Sequence, residues 1–206
     1  MIRPAVRQVL LPLAAVLLTA PVAVNAQDDA APLSESCSDS SACRVVPTLR
    51  VEKPDGEVSM VDMGMTLPWV TEGNVLLVPG DAVLIELVEL DGVLIPRLVD
   101  VGEAVVDAEP GKGQILFVFS SIERGVVMLT VSSAFAEPVE YAAMKVSLAD
   151  GPNRTSVCTL APGVPVIEQW SEPIYQLALW GFRRAEGMAC SEIDLGIQDQ
   201  LQRNAS

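Results

Sequence analysis

Cysteine is the first chemistry-bearing residue type to place. The chain has four, Cys37, Cys43, Cys158 and Cys190, and no Cys-x-x-Cys that would support thioredoxin-like exchange. A thiolate metal site needs closely spaced ligand pairs, and none is present. An even count in an exported chain points instead to disulfides. Of the three pairings that four cysteines allow, Cys37 with Cys43 and Cys158 with Cys190 closes the shortest loops and is the expected one.

Histidine is absent. Ser-His-Asp and Cys-His catalysis, His-ligated zinc, copper or haem, and an imidazole pH switch are therefore excluded. Asp and Glu total 27 against 13 Lys and Arg, a formal charge of −14. That balance argues against nucleic-acid binding, which relies on Lys and Arg at phosphates. Serines are plentiful, but neither Gly-x-Ser-x-Gly nor Ser-x-x-Lys occurs. Lys112 sits in Pro110-Gly111-Lys112-Gly113, a turn that lacks the phosphate-loop spacing. No Asp-x-Asp-x-Asp-Gly calcium loop is found, and Asp55-Gly56-Glu57 reads as an ordinary turn. The carboxylates read as solvated surface charge, with no metal or cofactor indicated.

One segment concentrates the residues that dominate binding hot spots. Trp170, Tyr175, Trp180 and Phe182 fall within 13 residues, followed by Arg183 and Arg184. These six are the candidate partner-binding residues. The competing reading packs the rings as a small core beside a Cys158–Cys190 bridge. Asn153-Arg154-Thr155 and Asn204-Ala205-Ser206 match the glycosylation sequon, a match expected by chance.

The elements that must carry these residues can be read from composition. Arg3 and Arg7, an apolar run from Val9 to Val24, and the small-residue site Val24-Asn25-Ala26 read as a signal peptide over 1–26. The run contains two prolines and is too short to span a bilayer. Its removal raises the charge to −16 over 180 residues, because it carries two arginines and no acid. Residues 27–44 are acidic and Ser-rich and read as a flexible leader. From Val45 to Cys190, short runs of Val, Leu and Ile punctuated by turns predict antiparallel β structure.

Asp91-Gly92 predicts a type I′ hairpin between strands near 82–90 and 93–101, with Pro96 marking an edge strand or bulge. A second hairpin joins residues 114–120 to 126–133. A third joins Val139–Leu148 to Thr155–Leu160. Thr48–Glu52, Glu57–Asp62 and Asn74–Val78 add strands, for nine or ten in all. Residues 164–185 carry both helix signals (Ser171-Glu172-Pro173, late arginines) and strand alternation, and strand is preferred for its aromatic residues and β neighbours. In the tail, 191–206, Ile193, Ile197 and Leu201 stand four apart and fit a short amphipathic helix.

The expected fold is an all-β, two-layer antiparallel sandwich of immunoglobulin-like type. The expected function is that of an exported, soluble, non-catalytic binding or accessory protein of the cell envelope or surface, periplasmic or secreted. It would have a protein partner, no nucleic acid and no membrane span after cleavage. Two alternatives stand beside it: a carrier for a small apolar, lipid-like ligand, and a secreted carboxylate-based hydrolase.

Overall fold

A computed structural model describes residue 37, residues 42–71 and residues 73–191. The signal peptide, most of the leader and the tail helix lie outside the described residues. Fourteen strands follow in chain order: β1 Cys43–Glu52, β2 Val58–Pro68, β3 Val70–Thr71, β4 Asn74–Leu77, β5 Ala82–Leu90, β6 Val93–Val101, β7 Gln114–Ser121, β8 Val127–Ser133, β9 Val139–Ser147, β10 Gly151–Thr155, β11 Val157–Cys158, β12 Val166–Trp170, β13 Ile174–Arg184 and β14 Cys190–Ser191. All pairings are antiparallel.

Two five-stranded sheets form the body. The first runs β10-β9-β13-β4-β3 and the second β12-β8-β7-β5-β6. One apolar cluster takes Leu77, Tyr141, Leu179 and Phe182 from the first sheet and Ile85, Phe117, Phe119 and Leu129 from the second. A core shared in this way is what a sandwich requires, since each sheet must bury one face against another element. The ring of Phe117 meets those of Tyr141 and Phe182 edge-on at 6.1 and 6.3 Å, and Tyr141 stacks on Phe182 at 5.7 Å. Such pairs add about 1 kcal/mol each beyond burial. Both cysteine pairs are bonded as the spacing predicts, Cys37–Cys43 and Cys158–Cys190. Neither bridge joins the two five-stranded sheets, unlike the inter-sheet bridge of antibody domains.

The first predicted hairpin holds in detail. Asp91 and Gly92 both take positive φ, 51° and 81°, as a type I′ turn demands. β6 is an edge strand, but its bulge lies at Val99, between Leu98 and Asp100, rather than at Pro96, which is buried. The third hairpin is corrected. Its return strand is β10, which begins inside the expected loop because Gly151, at φ 68°, turns the chain back at once. Residues 156–160 instead supply β11 and a single bridge from Leu160 to Val139. The segment 164–185 forms two strands, β12 and β13, separated by a bend at Ser171-Glu172-Pro173, and contains no helix.

β1 and β2 form a separate two-stranded ribbon longer than the sequence suggests, starting at Cys43 rather than Thr48 and ending at Pro68 rather than Asp62. It is fastened by a buried ion pair. Arg44 Nη2 lies 2.8 Å from Asp81 Oδ2, the guanidinium stacks 4.0 Å above the Trp69 ring, and Arg44 also donates to the Leu76 carbonyl. At the ribbon's other end, a Cβ on Gly125 would come within 3.0 Å of the Glu52 carbonyl, so only glycine permits that approach.

The Tyr141 hydroxyl is buried with no hydrogen-bond partner, and burial pushes its pKa up. A desolvated hydroxyl without a partner costs about 1 to 3 kcal/mol. Tyr141→Phe should therefore leave stability unchanged or raise it by about 1 kcal/mol in urea denaturation. A loss beyond that would mean that the hydroxyl is satisfied.

Candidate functional site

β13 lies between β9 and β4, and most of its side chains alternate between core and solvent. Leu177 and Leu179 point inward; Ala178 and Trp180 point outward beside Met144 and Ala142 of β9. Two register shifts interrupt this alternation. One, at Tyr175, lets Ile174 enter the core. The other falls between Trp180 and Arg183, where Gly181 adopts φ 65°. Without it, Phe182 would face outward with Trp180. The bulge turns Phe182 into the core, where it is 1% exposed, and turns Arg183 outward opposite Glu140.

On the outer side of the first sheet Ala142, buried, pairs with the half-buried Trp180, and in the next row Glu140 pairs with the exposed Arg183. Beyond that row the chain folds back through Glu186 to Ala189 and makes the far wall of an open cleft of about 540 Å³. Met188 stands on this wall, 61% exposed. Hydrogen bonds between Thr159 and Ala189 and the Cys158–Cys190 bridge hold the wall in place.

Both arginines that line the cleft are ion-paired. Arg183 donates to Glu140. Arg184 bridges two carboxylates, with Nη2 2.8 Å from Glu89 and Nε 2.5 Å from Glu137. The hydrogen bond from Arg184 holds the Glu89 carboxyl below its ordinary range, and Glu89 in turn raises the pKa of Arg184. Both arginines are ion-paired and partly exposed, and Arg is a residue type enriched at interface anchors.

The six candidate residues do not form one surface. Arg183 and Arg184 line the cleft, whereas Trp180 is half-buried in the neighbouring row, with its Nε1 buried and without a hydrogen-bond partner among the described residues. Trp170 belongs to β12, packs against the core and donates from Nε1 to Thr155 Oγ1 at 2.8 Å. Tyr175 sits at the far end of β13, and Phe182 is interior. Phe182 and Trp170 thus follow the packed-core reading.

Two carboxyls have raised pKa values. Asp81 is pushed up to about 6 by burial, with Arg44 and the Val78 N–H pulling it back. Glu168 is raised by burial and accepts the Cys158 N–H at 2.6 Å. β8 and β7 lie between β12, which carries Glu168, and β5, which Asp81 precedes. That spacing is about 14 Å, beyond the reach of a glycosidase pair. Among the described residues no group of three or more Cys, Asp or Glu is placed to hold a metal. The space between the sheets is filled by Phe117, Phe119, Tyr141 and Phe182. No helix among the described residues is long and apolar enough to cross a membrane.

Comparison with protein-family models, with curated proteins and with solved structures finds no match.

The bulge carries its own prediction. Gly181→Ala forces an L residue into the left-handed region at a cost of about 1 to 2 kcal/mol. It should also disturb the Phe182 contact with Tyr141, visible in near-UV circular dichroism. An unchanged melting curve and spectrum would show that the bulge does not set the register.

Proposed function

We propose that this chain is an exported, non-catalytic binding or accessory component of the cell envelope or surface, working in the periplasm or outside the cell. Its recognition surface is the outer face of β13 and the adjoining cleft. The observation that carries this reading is an open cleft lined by Arg183, Arg184 and Met188, with the half-buried Trp180 in the neighbouring outward row of the same sheet. Aromatic, Arg and Met side chains are the residue types enriched in interfaces. Two disulfides fit an oxidising compartment.

The test is affinity capture from the protein's own envelope fraction by the wild type and by Trp180→Ala, followed by mass spectrometry. One partner recovered reproducibly by the wild type and lost from the variant supports the proposal. Equal recovery by both, or a chain carrying lipid and no polypeptide, overturns it.

A further inference from the structure

An exposed strand edge is a template for pairing, and natural edges are blocked by proline, bulges, brevity or cover. Most edges here are blocked in one of these ways. β6 carries Pro96 and the Val99 bulge, β10 carries Pro152, and β3 has two residues. Beside β12, the side chains of Glu168 and Trp170 reach across to Cys158 and Thr155. In the ribbon, β1 contains Pro47, and its end packs against Gly125.

β2 differs. It pairs with β1 alone among the described residues, and from Val58 to Asp62 it runs in regular register with neither proline nor bulge. The interruption comes later, where the register shifts opposite Gly64 at φ 52°. Met60 at the centre of this stretch is 64% exposed, and Val58 is exposed as well. A two-stranded ribbon is marginal in water, whereas a four-stranded sheet is not.

We infer that the Val58–Asp62 edge of β2 is a self-association surface, pairing antiparallel with the same edge of a second copy about a two-fold axis at Met60. The register is self-complementary. Met60 faces Met60 of the other copy, Ser59 faces Val61, and Val58 faces Asp62, so no like charges stand directly opposite. The resulting sheet, β1-β2-β2-β1, buries both exposed edges and leaves the β13 face free. The opposing force is the net charge, −14 on each chain. Salt screens that repulsion and leaves strand pairing intact, so this dimer tightens as ionic strength rises.

The experiment is sedimentation velocity of the purified chain from about 1 to 500 µM at about 0.05 and 0.5 M NaCl. Expected is a monomer–dimer equilibrium that strengthens in high salt and weakens at least roughly tenfold in Met60→Lys, which sets two cations face to face. Met60→Cys should form a covalent dimer under mild oxidation, whereas Val45→Cys, at the other end of the ribbon, should not. A monomer under all conditions, a dimer indifferent to Met60→Lys, or a monomer that instead takes up an extended foreign peptide at this edge would overturn the assignment.

Discussion

Arg44→Met is expected to lower the unfolding free energy by about 3 to 5 kcal/mol. Among the described residues Arg44 is the basic group paired with the buried carboxylate of Asp81, and its side chain is 11% exposed. Asp81 Oδ2 accepts the Val78 N–H at 2.6 Å and is ion-paired with Arg44 Nη2 at 2.8 Å. Removing the guanidinium leaves that carboxylate desolvated and opposed by one backbone donor. It also strips the cation from above Trp69, where the ribbon meets the first sheet. The double variant Arg44→Met, Asp81→Asn should recover more than half of the loss, because the asparagine oxygen still accepts from Val78 and no charge remains. Urea denaturation of the three proteins decides the matter. A cost below about 1 kcal/mol for the single variant would mean that water reaches Asp81.

The same carboxyl gives the wild type a pH dependence whose sign is opposite to that of an ordinary ion-paired acid. Burial outweighs the attraction of Arg44 and lifts Asp81 from 3.8 to about 6. Between those values the folded chain holds the proton more tightly than the unfolded chain. The associated stability is fully present below about pH 4 and is lost as pH rises through about 6, a difference on the order of 3 kcal/mol. Other groups titrate in this range, so the readout is the difference between wild type and Asp81→Asn at pH 4 to 7. Parallel stability curves would refute the shift.

Neither Arg44 nor Asp81 stands out in the sequence. They are 37 positions apart, and Pro79-Gly80-Asp81 reads only as a turn. Long-range pairs of this kind leave no local signal; what is legible is whatever one strand or one turn decides alone. Asp91-Gly92 specifies its turn through backbone conformation, and the cysteine spacing yields both bridges through loop length. β13 is legible as a strand because Leu177 and Leu179 alternate with Ala178 and Trp180. Its site is not legible, because a bulge adds one residue and reverses every face beyond it. Counting by twos puts Phe182 outward; Gly181 puts it in the core. A glycine between an aromatic pair inside an apolar run is the available clue, and it marks a bulge without saying which side gains the residue. The open edge of β2 is hidden for a related reason, since edge or interior position belongs to the topology and not to the strand.

Breaking the Cys158–Cys190 bridge should cost about 3 to 4 kcal/mol, the larger effect of the two disulfides. The bridge closes a loop of sequence separation 32, against 6 for Cys37–Cys43. In the chain-entropy account the shorter loop is worth about 2 kcal/mol. Topology reinforces the difference. The long loop contains β12 of the second sheet and β13 at the centre of the first, so in the unfolded chain it holds together segments that must reach both layers. Cys158→Ala, Cys190→Ala should therefore lower Tm by roughly 6 to 16 °C. The β11–β14 ladder, only two residues long, should then exchange its amide protons ahead of the core. Cys37→Ala, Cys43→Ala should cost less, because only β1 begins at that loop. Equal losses from the two double variants would count against loop entropy and in favour of a local packing role for each bridge. The Cys158–Cys190 variant also separates stability from recognition. The bridge holds the cleft wall that carries Met188, so partner capture should fall in this variant even at temperatures where the sandwich stays folded.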